Sequence, residues 1–550
     1  MGILSLMDIG KSALMANQTA LQVTGQNISN VSTPGYSKQS VVLETRKPMD
    51  SQPGQIGMGV TASEIKRQYN GFIENGIISQ QQTLGQLGAS LDAASQVEQV
   101  FNESNGNGIG SAMDNFFSAV QSLSNNPSGS AERTTLVADA GNLTQIVRQS
   151  YGQLSSIGSS VDQQISSEVG QINDTIGQIA QLNQAISGAK AEGRNPNDLL
   201  DQRDHLLENL AGSVGFSSYE DASGQVNITL SGGDSLVEGS KAFTLTAGKG
   251  LSGLATVGYD NGNGAVHDIT ANIKSGKLAG LLSARDSLIP KFQDGLDNLS
   301  ASITNEINKL NQGGYGLDGS TGVDFFTPLN ATAWAGNNTG TGSAGPASVV
   351  SYGSLSLDQF QVKFTGASTY DLTDSTTGSV VSTGNAYTAG SDITAGGMKF
   401  SVSGAPQAGD TFNISAAKGA ASNFSVSQAV AANNSKIAAA TDPAMLPGDN
   451  RNALAMAALQ DSPEVSGQYT FSDYYGSLVS DAGTAAQQAS TQQNFQNGVL
   501  QNLQNQKAQV SGVSLDEETT NLLMYQRAYE AAAKVISIAD NLMDDLINKM

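Results

Sequence analysis

The chain has 550 residues, of which 14% are charged, 6% are aromatic and 38% are hydrophobic, and this length predicts about three to four domains. Its 49 acidic and 27 basic residues give a formal charge of −22, the wrong sign for binding phosphate backbones or anionic membranes. The absence of cysteine excludes disulfides and thiolate zinc sites. The sequence contains no run of about 18 apolar residues, so it predicts no membrane span.

The N-terminal segment predicts an amphipathic helix with a seven-residue apolar repeat. The residues of this repeat are Met7, Leu14, Leu21 and Ile28. Asp8 and Lys11 interrupt the apolar residues near the start, and no small-residue cleavage site follows. We therefore do not expect a cleaved secretion signal, and export would need another route.

Residues 26–37, QNISNVSTPGYS, predict a tight turn that ends this helix. The proline disfavours helical geometry in the residue before it, the glycine permits the turn, and two asparagines can bond the freed backbone groups. We call this segment the signature turn, with Asn27, Asn30, Thr33, Pro34, Gly35 and Tyr36 as its site residues. The stretches VVLET and PGQIGMGV that follow predict a strand and a second turn.

A proline-free stretch between Pro127 and Pro196 predicts a long helix over about residues 131–190. Its isoleucines repeat every seven positions, at Ile165, Ile172, Ile179 and Ile186. This pattern is typical of a coiled-coil-like helix. At 1.5 Å per residue such a helix would be about 90 Å long, and it predicts an elongated protein.

The densest charge cluster, Asp201, Arg203 and Asp204, lies in the segment LLDQRDHLLENL after this helix. Carboxylates that flank an arginine more often fix a helix junction through charge-assisted hydrogen bonds than catalyse a reaction. We therefore expect a structural role for the cluster and a solvated or rim position for His205. Short alternating runs such as VNITLSGG, over about residues 212–272, predict β-structure.

The next two segments differ in character. Residues 275–312 predict a helix, with Pro290 tolerated near a helix start or at a kink. Residues 315–425 are rich in Gly, Ser and Thr and contain strand-like pieces such as QVKFTG. They predict a small all-β module inserted between helical segments.

The C-terminal segment repeats the heptad pattern to its end. The first apolar position holds Leu515, Leu522, Tyr529, Ile536, Met543 and Met550, and the second holds Tyr525, Ala532, Ala539 and Leu546. Apolar stripes at both chain ends predict that the two helices pair, and a lone pair needs neighbouring copies to cover its remaining apolar surface. The predicted assembly interface is Met7, Leu14, Leu21, Ile28, Leu515, Leu522, Tyr525, Tyr529, Ile536, Met543 and Leu546. Mixed charges on the last helix disfavour a membrane-surface role.

A search for reactive chemistry yields little. His205 and His267 lie far apart in sequence, and neither occurs in HExxH or HxH spacing. GNGIG, residues 106–110, lacks the flanking pattern of a phosphate-binding loop, and DNGNG, residues 260–264, lacks a glutamate at position twelve of a calcium loop, where Ala271 stands. We interpret the first segment as a loop and the second as a turn. We expect no enzyme activity, catalytic residue, metal or cofactor.

The signature turn resembles the N-terminal motif of the axial proteins of the bacterial flagellum. Further stretches resemble, in order, the hook-associated protein 1 family within that group. They are NDLLDQRDHLLENLA (197–211), GKLAGLLSARDSLIP (276–290), GYGLDGSTGVDFF (314–326), GAPQAGDTFNIS (404–415), PGDNRNALAMAALQ (447–460) and LDEETTNLLMYQRAYEAAAKVISIADNLMDDLI (515–547). The resemblance covers both ends and most of the chain, and it is weakest at about 329–400.

This resemblance implies an α+β multidomain, elongated fold, with long coiled-coil-like helices from both chain ends and inserted all-β domains. It implies a terminal helical inner-tube domain (1–37 and 508–550), a helical rod domain (38–210, 275–325 and 426–507), a β domain (211–274) and an inserted outer β domain (326–425).

The resemblance also implies a structural role outside the cell. Copies would form a layer at the distal end of the hook and join it to the second hook–filament junction protein, and thereby to the filament. The implied partners are other copies, the hook protein, that second junction protein, an export chaperone on the C-terminal helix and the flagellar type III export apparatus. No nucleic acid or membrane partner is implied.

Two alternatives remain open at this stage. A related axial protein, either a second junction protein or a flagellin-like protein, could carry an adhesive outer domain in residues 315–425. An enzyme carried on the outer β domain is the other alternative, and a metalloprotease insert of that kind would contain HExxH, which the sequence lacks.

Overall fold

The computed structural model describes residues 3–51, 54–103, 106, 108–250, 253–336 and 338–548. Met550 of the predicted C-terminal stripe and Asn107 of the GNGIG loop lie outside the described residues. The chain forms two compact units, the first from Met1–Ser90, Asp162–Leu282 and Ala489–Met550, the second from Leu91–Val161 and Ser283–Gln488.

Helices account for both described chain ends and for much of each unit. The α-helices are α1 (Ile3–Ser29), α2 (Gly71–Val100), α3 (Ile109–Asn125), α4 (Ser130–Ala191), α5 (Asn197–Ser213), α6 (Gly276–Ser283), α7 (Ile289–Gly313), α8 (Ala420–Asn423), α9 (Gln428–Ala432), α10 (Arg451–Ala458), α11 (Phe471–Ser511) and α12 (Leu515–Asn548). A π-helical segment, Ala284–Leu288, joins α6 to α7.

The strands form small antiparallel sheets. In the first part of the chain they are β1 (Gln39–Thr45), β2 (Met49–Ser51), β3 (Gly54–Ile56), β4 (Val60–Arg67), β5 (Phe216–Glu220), β6 (Val226–Leu230), β7 (Ser235–Glu238), β8 (Lys241–Ala242), β9 (Thr244–Lys249), β10 (Ala255–Asp260) and β11 (Val266–Asp268). The later strands are β12 (Tyr315–Gly316), β13 (Thr332–Ala335), β14 (Ser343–Val349), β15 (Phe360–Gly366), β16 (Thr369–Asp374), β17 (Val380–Ala386), β18 (Asp392–Ala395), β19 (Met398–Ser403), β20 (Thr411–Ser415) and β21 (Ala438–Ala440).

The long helix predicted over residues 131–190 is confirmed as α4, which differs by one residue at each end. Its repeating isoleucines are fully buried, as the heptad pattern predicts. The helical structure predicted over 275–312 is confirmed, as α6, the π-helical segment and α7 in direct succession. Pro290 lies in the first turn of α7, directly after the π-helical segment, which agrees with the predicted position near a helix start.

Two asparagines on α4 hold the β-structure of the first unit, which the sequence predicted over about 212–272. The Asn183 carboxamide donates to the Val226 carbonyl at 2.7 Å and accepts from the Val226 N–H at 3.0 Å. Asn173 makes the same pair of bonds to Leu245, at 2.7 and 2.9 Å. A carboxamide carries one acceptor and two donors, so it can pair with a strand backbone as another strand would. These side chains therefore fix β6 and β9 against α4 without using charge.

The inserted β module of the second unit has its own core. A five-stranded sheet, β13-β20-β15-β16-β17, and a three-stranded sheet, β14-β19-β18, enclose buried residues such as Val362, Phe364, Phe400 and Phe412. Thr332 of β13 pairs with Ser415 of β20, so the chain enters and leaves the module side by side.

A buried carboxylate anchors the chain just after it leaves the β module. Asp297 of α7 is 1% exposed and accepts hydrogen bonds from the Gly419 and Ala421 N–H groups, both at 2.9 Å. Ala301 of the same helix packs beside them with Leu329, Ala417 and Ala420 in a small apolar cluster. The base of the module is therefore held to α7 by one carboxylate and a few small apolar contacts.

Candidate assembly interface

The helices at the two chain ends pack against each other in antiparallel orientation, as predicted from their apolar stripes. Gly10 of α1 lies against Ile536 and Ala532 of α12. Near the other end of α1, the Asn27 carboxamide donates to the Glu518 carboxylate at 2.9 Å. The pairing of the terminal helices is thus confirmed.

The buried residues of the two terminal helices are mostly small. Those buried in the described structure are Gly10, Ser12, Ala16, Ala20, Val23, Thr24 and Asn27 on α1, with Glu518, Ala532 and Ala539 on α12. Small side chains allow two helix axes to approach closely. The predicted interface residues of α1 are partly buried: Met7, Leu14, Leu21 and Ile28.

The predicted residues of α12 fall into two groups. The partly buried group is Leu522, Tyr525, Tyr529, Ile536 and Met543, and the exposed group is Leu515 and Leu546. Ile536, which contacts Gly10, therefore belongs to the contact within the chain. The heptad pattern identified the apolar positions, but it does not tell which of them face α1 and which face solvent. Their role in contacts between copies stays a prediction.

A second apolar face of α12 points to solvent, and the sequence reasoning missed most of it. Ile538, Leu542 and Leu546 are 49%, 47% and 51% exposed, and Met524 is exposed to a similar degree. We call these four residues the outer stripe. The spacing 538, 542, 546 is itself a helical period, and this signal could have revealed the stripe.

The signature turn forms directly after α1, and Gly35 has φ +80°, the left-handed geometry that glycine adopts without strain. The buried Asn27 accepts from the Gln39 N–H at 3.0 Å and the Tyr36 hydroxyl at 2.8 Å, and it donates to the Gln39 carbonyl at 2.9 Å. Asn30 donates to the Gln26 carbonyl at 3.0 Å. The predicted bonds from the two asparagines to backbone groups are confirmed, whereas Thr33 and Pro34 are exposed.

The turn leads into a β1–β4 hairpin that lies along α1. Ser12 of α1 accepts from the Val60 N–H at 3.3 Å, and a Cβ on Gly59 would meet the same serine hydroxyl at 2.1 Å. Gly59, with φ +93°, permits both the backbone geometry and this close approach. The Arg46 N–H donates to the Gly59 carbonyl at 3.0 Å, so Arg46 lies at the level of Ser12.

The charge cluster predicted to be structural joins α5 to the hairpin and the turn. Arg67 donates to Asp201 at 2.8 Å and to Asp204 at 2.6 Å, and the Ser37 N–H donates to Asp201 at 2.9 Å. Burial raises the pKa of Asp204, against the opposing effect of its arginine neighbours. These carboxylates are engaged by an arginine and a backbone amide, which matches the predicted structural role.

Arg203, the third member of the cluster, binds a different part of the unit. It donates to the Gly224 carbonyl at 2.6 Å and to the Glu220 carboxylate at 2.8 Å. Since both acceptors lie in the β5–β6 hairpin, Arg203 fixes α5 to the β-structure.

A surface cleft of about 300 Å³ lies between the signature turn and α5. Pro34, Gly35 and Tyr36 line one side, while Asp198 and His205 line the other. Burial, followed by the nearby carboxylates of Asp198, Asp201 and Glu518, raises the pKa of Tyr36 to about 12. Two carboxylates, Asp198 and Asp201, thus line the cleft, and Arg67 pairs with the second of them. His205 is exposed, as predicted.

The residues that the structure describes contain no group of three or more His, Cys, Asp or Glu side chains placed to hold a metal ion. Among the same residues, no helix carries an apolar stretch of the length needed to cross a membrane.

Three parts of the chain match family models of flagellar proteins. Residues 94–326 match the helical domain of flagellar hook-associated protein FlgK. Residues 7–36 match the flagella basal body rod protein model, and residues 504–549 match the C-terminal model of the flagellar basal body rod FlgEFG proteins.

Full-length relatives carry the same description. The chain is 31% identical over 556 residues to flagellar hook-associated protein 1 of Salmonella typhimurium, covering 99% of both chains. It is 30% identical over 562 residues to the Escherichia coli protein of that name, again covering 99% of both. The flagellar hook junction protein FlgK from Burkholderia pseudomallei has a similar fold, with a TM-score of 0.69 and 24% identity over 80% of this chain and 100% of that one.

Proposed function

This chain belongs to the flagellar hook-associated protein 1 family, and from that premise we propose that it forms the layer that joins the hook of the bacterial flagellum to the filament. It is a structural component of an extracellular appendage, and filament assembly and motility depend on it. The observation that carries this function is the match to hook-associated protein 1 over 99% of both chains.

The terminal helices supply the contacts between copies in this proposal. α1 and α12 cover one another along one face, which leaves the outer stripe of α12 without a partner among the described residues. Exposed apolar surface of this kind is typical of a binding surface. Packing of the outer stripe against neighbouring copies would remove it from water at about 25 cal/mol per Å² of apolar area.

The finer assignments follow from the same proposal. Residues 1–37 and 508–550 form the inner tube, the helical segments surround it, and the two β domains face outward. The hook protein and the second hook–filament junction protein are the axial partners. A cytoplasmic chaperone covers the C-terminal helix before the type III export apparatus secretes the chain. Support comes from the exposed apolar residues of α12, which need cover until assembly.

The substitution Leu542→Asp tests the outer stripe. A carboxylate placed in an apolar contact costs several kcal/mol or prevents the contact, and every copy in the layer carries the defect. We expect hooks to form without filaments, with flagellin released into the medium, when the variant replaces the wild-type chain. Electron microscopy of cells and immunoblots of the medium measure both outcomes.

The matched control is Asn541→Asp, which adds the same charge at the neighbouring exposed polar position and should leave filaments unchanged. Immunoblotting for the variant itself in the medium separates a failure of export from a failure of assembly. Full-length filaments on cells whose only copy is Leu542→Asp would refute the role of the outer stripe. Normal filaments on cells that lack the chain altogether would refute the proposed function.

A further inference from the structure

The cleft at the signature turn offers a negative charge that no cation of the described chain neutralises. Asp198 is exposed on its rim, and its Oδ1 accepts only from two amides, Gln39 Nε2 at 2.9 Å and Gln26 Nε2 at 3.5 Å. The opposite side of the cleft is formed by Pro34 and the Tyr36 ring. An apolar wall facing an unpaired carboxylate suits a lysine or arginine, whose stem is apolar and whose end is charged.

The β1–β4 hairpin offers the complementary groups. Arg46 and Lys47 follow β1 directly, and both are exposed. Neither side chain forms an ion pair with any of the residues that the structure describes. Leu43 and Met49, on either side of them in sequence, are also exposed, by 43% and 46%. The end of the hairpin thus combines two unpaired cations with apolar surface, on a chain whose net charge is −22.

These two features cannot meet within one molecule. Arg46 lies at the level of Ser12 on α1, because its N–H binds the Gly59 carbonyl and Gly59 abuts Ser12. The cleft begins at Gln26 on the same helix. The fourteen residues from Ser12 to Gln26 span about 21 Å of α-helix, which is beyond the reach of a lysine or arginine side chain. Any contact between the hairpin end and the cleft must therefore join two molecules.

We propose that the end of the β1–β4 hairpin of one copy docks into the signature-turn cleft of a neighbouring copy, with Arg46 and Lys47 facing Asp198. The charge complementarity of the two surfaces argues for a second copy as the occupant. The contact joins two different surfaces, so it is heterologous and generates a ring or a helical layer. This inference rests on the proposed function, since it needs copies assembled side by side.

A cross-linking experiment tests the contact directly. The chain has no cysteine, so Lys47→Cys and Gln202→Cys, placed together in one chain, supply the only thiols. Gln202 is exposed and lines the cleft. Isolated hook–filament particles that contain the variant are treated with a short bismaleimide. We expect a ladder of covalent oligomers on a denaturing gel, and only monomers from the secreted, unassembled protein.

The matched control combines Gln202→Cys with Lys249→Cys, which replaces an exposed lysine of the first unit's β-structure, and it should give no ladder. Particles that contain the Lys47→Cys and Gln202→Cys chain but give only monomers would overturn the inference and leave the proposed function intact. Absence of the wild-type chain from the hook–filament boundary would instead overturn the proposed function.

Charge exchange gives a second test with an independent readout. Asp198→Lys alone, or Arg46→Asp with Lys47→Asp, places like charges in the contact, and each should reduce filaments per cell by about tenfold or more. The chain with all three substitutions restores opposite charges and should return to within about twofold of wild type. Failure of the combined variant to recover, with each variant secreted normally, would mean that another partner occupies the cleft, and it would overturn the inference.

Discussion

Gly10 is a residue at which α1 approaches α12 closely. A Cβ at this position would lie 2.7 Å from Cγ1 of Ile536 and 3.5 Å from the Ala532 carbonyl oxygen. The first distance is well below a normal carbon–carbon contact of about 3.5–4.0 Å. Gly25, on the same helix, has no such neighbour within 4 Å. The helix therefore contains one glycine that the packing requires and one that it does not.

Gly10→Val should separate the terminal helices, because the added side chain overlaps Ile536. We expect a loss of stability of about 1–3 kcal/mol, typical of overpacking, measured as faster proteolysis of the chain ends. Gly25→Val is the control with the same change of residue and should have little effect on that rate. Combining Gly10→Val with Ile536→Ala should recover part of the loss, and a purely additive double variant would contradict this packing.

Asp297 is the buried carboxylate whose ionisation matters most at the base of the β module. Burial raises its pKa to about 6, an effect that the two backbone N–H donors and Lys418 oppose but do not cancel. The folded chain thus holds a proton that the unfolded chain releases at about pH 4. The stabilisation from protonated Asp297 is complete below the pKa that this carboxyl has in the unfolded chain, and it is lost as the pH rises through 6.

Asp297→Asn removes this titration while keeping the shape of the side chain. The stability of the variant relative to wild type should rise by up to about 3 kcal/mol between pH 4 and pH 7. Trp334, the single tryptophan, lies in β13 and reports urea unfolding of the module by its fluorescence. Asp114→Asn, which changes an exposed carboxylate of α3 in the same unit, is the control. A difference that does not change with pH would contradict the role of Asp297.

At the scale of elements, α12 carries two apolar faces with different partners. The sequence predicted the helix, its stripe and its pairing with α1, because a seven-residue repeat up to the chain end is a strong pattern. It could not assign Ile536 to the contact within the chain and Leu546 to the solvent side, because that depends on where Gly10 lets α1 approach. Tertiary packing decides which apolar face of α12 contacts α1, and the sequence of the helix alone does not show it.

The β module is the element that the chain could lose with least change elsewhere. Its two sheets share a core, and its first and last strands pair at Thr332 and Ser415. The chain ends left by removal of the module are therefore neighbours, with paired Cα atoms about 5 Å apart. A short linker can join them without distorting α7 or the segment that Asp297 anchors.

Replacing residues 332–415 with a short Gly-Ser linker should leave export and layer formation intact. We expect motile cells with normal hooks and filaments, scored by swimming assays and electron microscopy. The control is the same linker inserted beside the intact module, between Ala331 and Thr332. Loss of filaments with the deletion alone, from a chain that is still secreted, would show that the module takes part in contacts of the layer.

At the scale of the whole molecule, the sequence predicted the order of helical and β segments well. Proline-free stretches and heptads marked α4 and α12, and alternating runs marked the β-structure. Apart from the pairing of α1 with α12, the side-chain contacts that hold these segments together were not predictable. Asp201 and Asp204 were noted in the sequence, but their partner Arg67 lies more than 130 residues away, and nothing in its local sequence indicates the pairing.

The asparagine pairs on α4 have a consequence for the conditions in which the protein works. Asn173 and Asn183 bind the β-structure through neutral groups that neither gain nor lose a proton over the pH range of natural waters. Dissolved ions screen the attraction between charged groups, but these hydrogen bonds join groups that carry no net charge. The strength of these two joints should therefore change little with pH and with salt concentration.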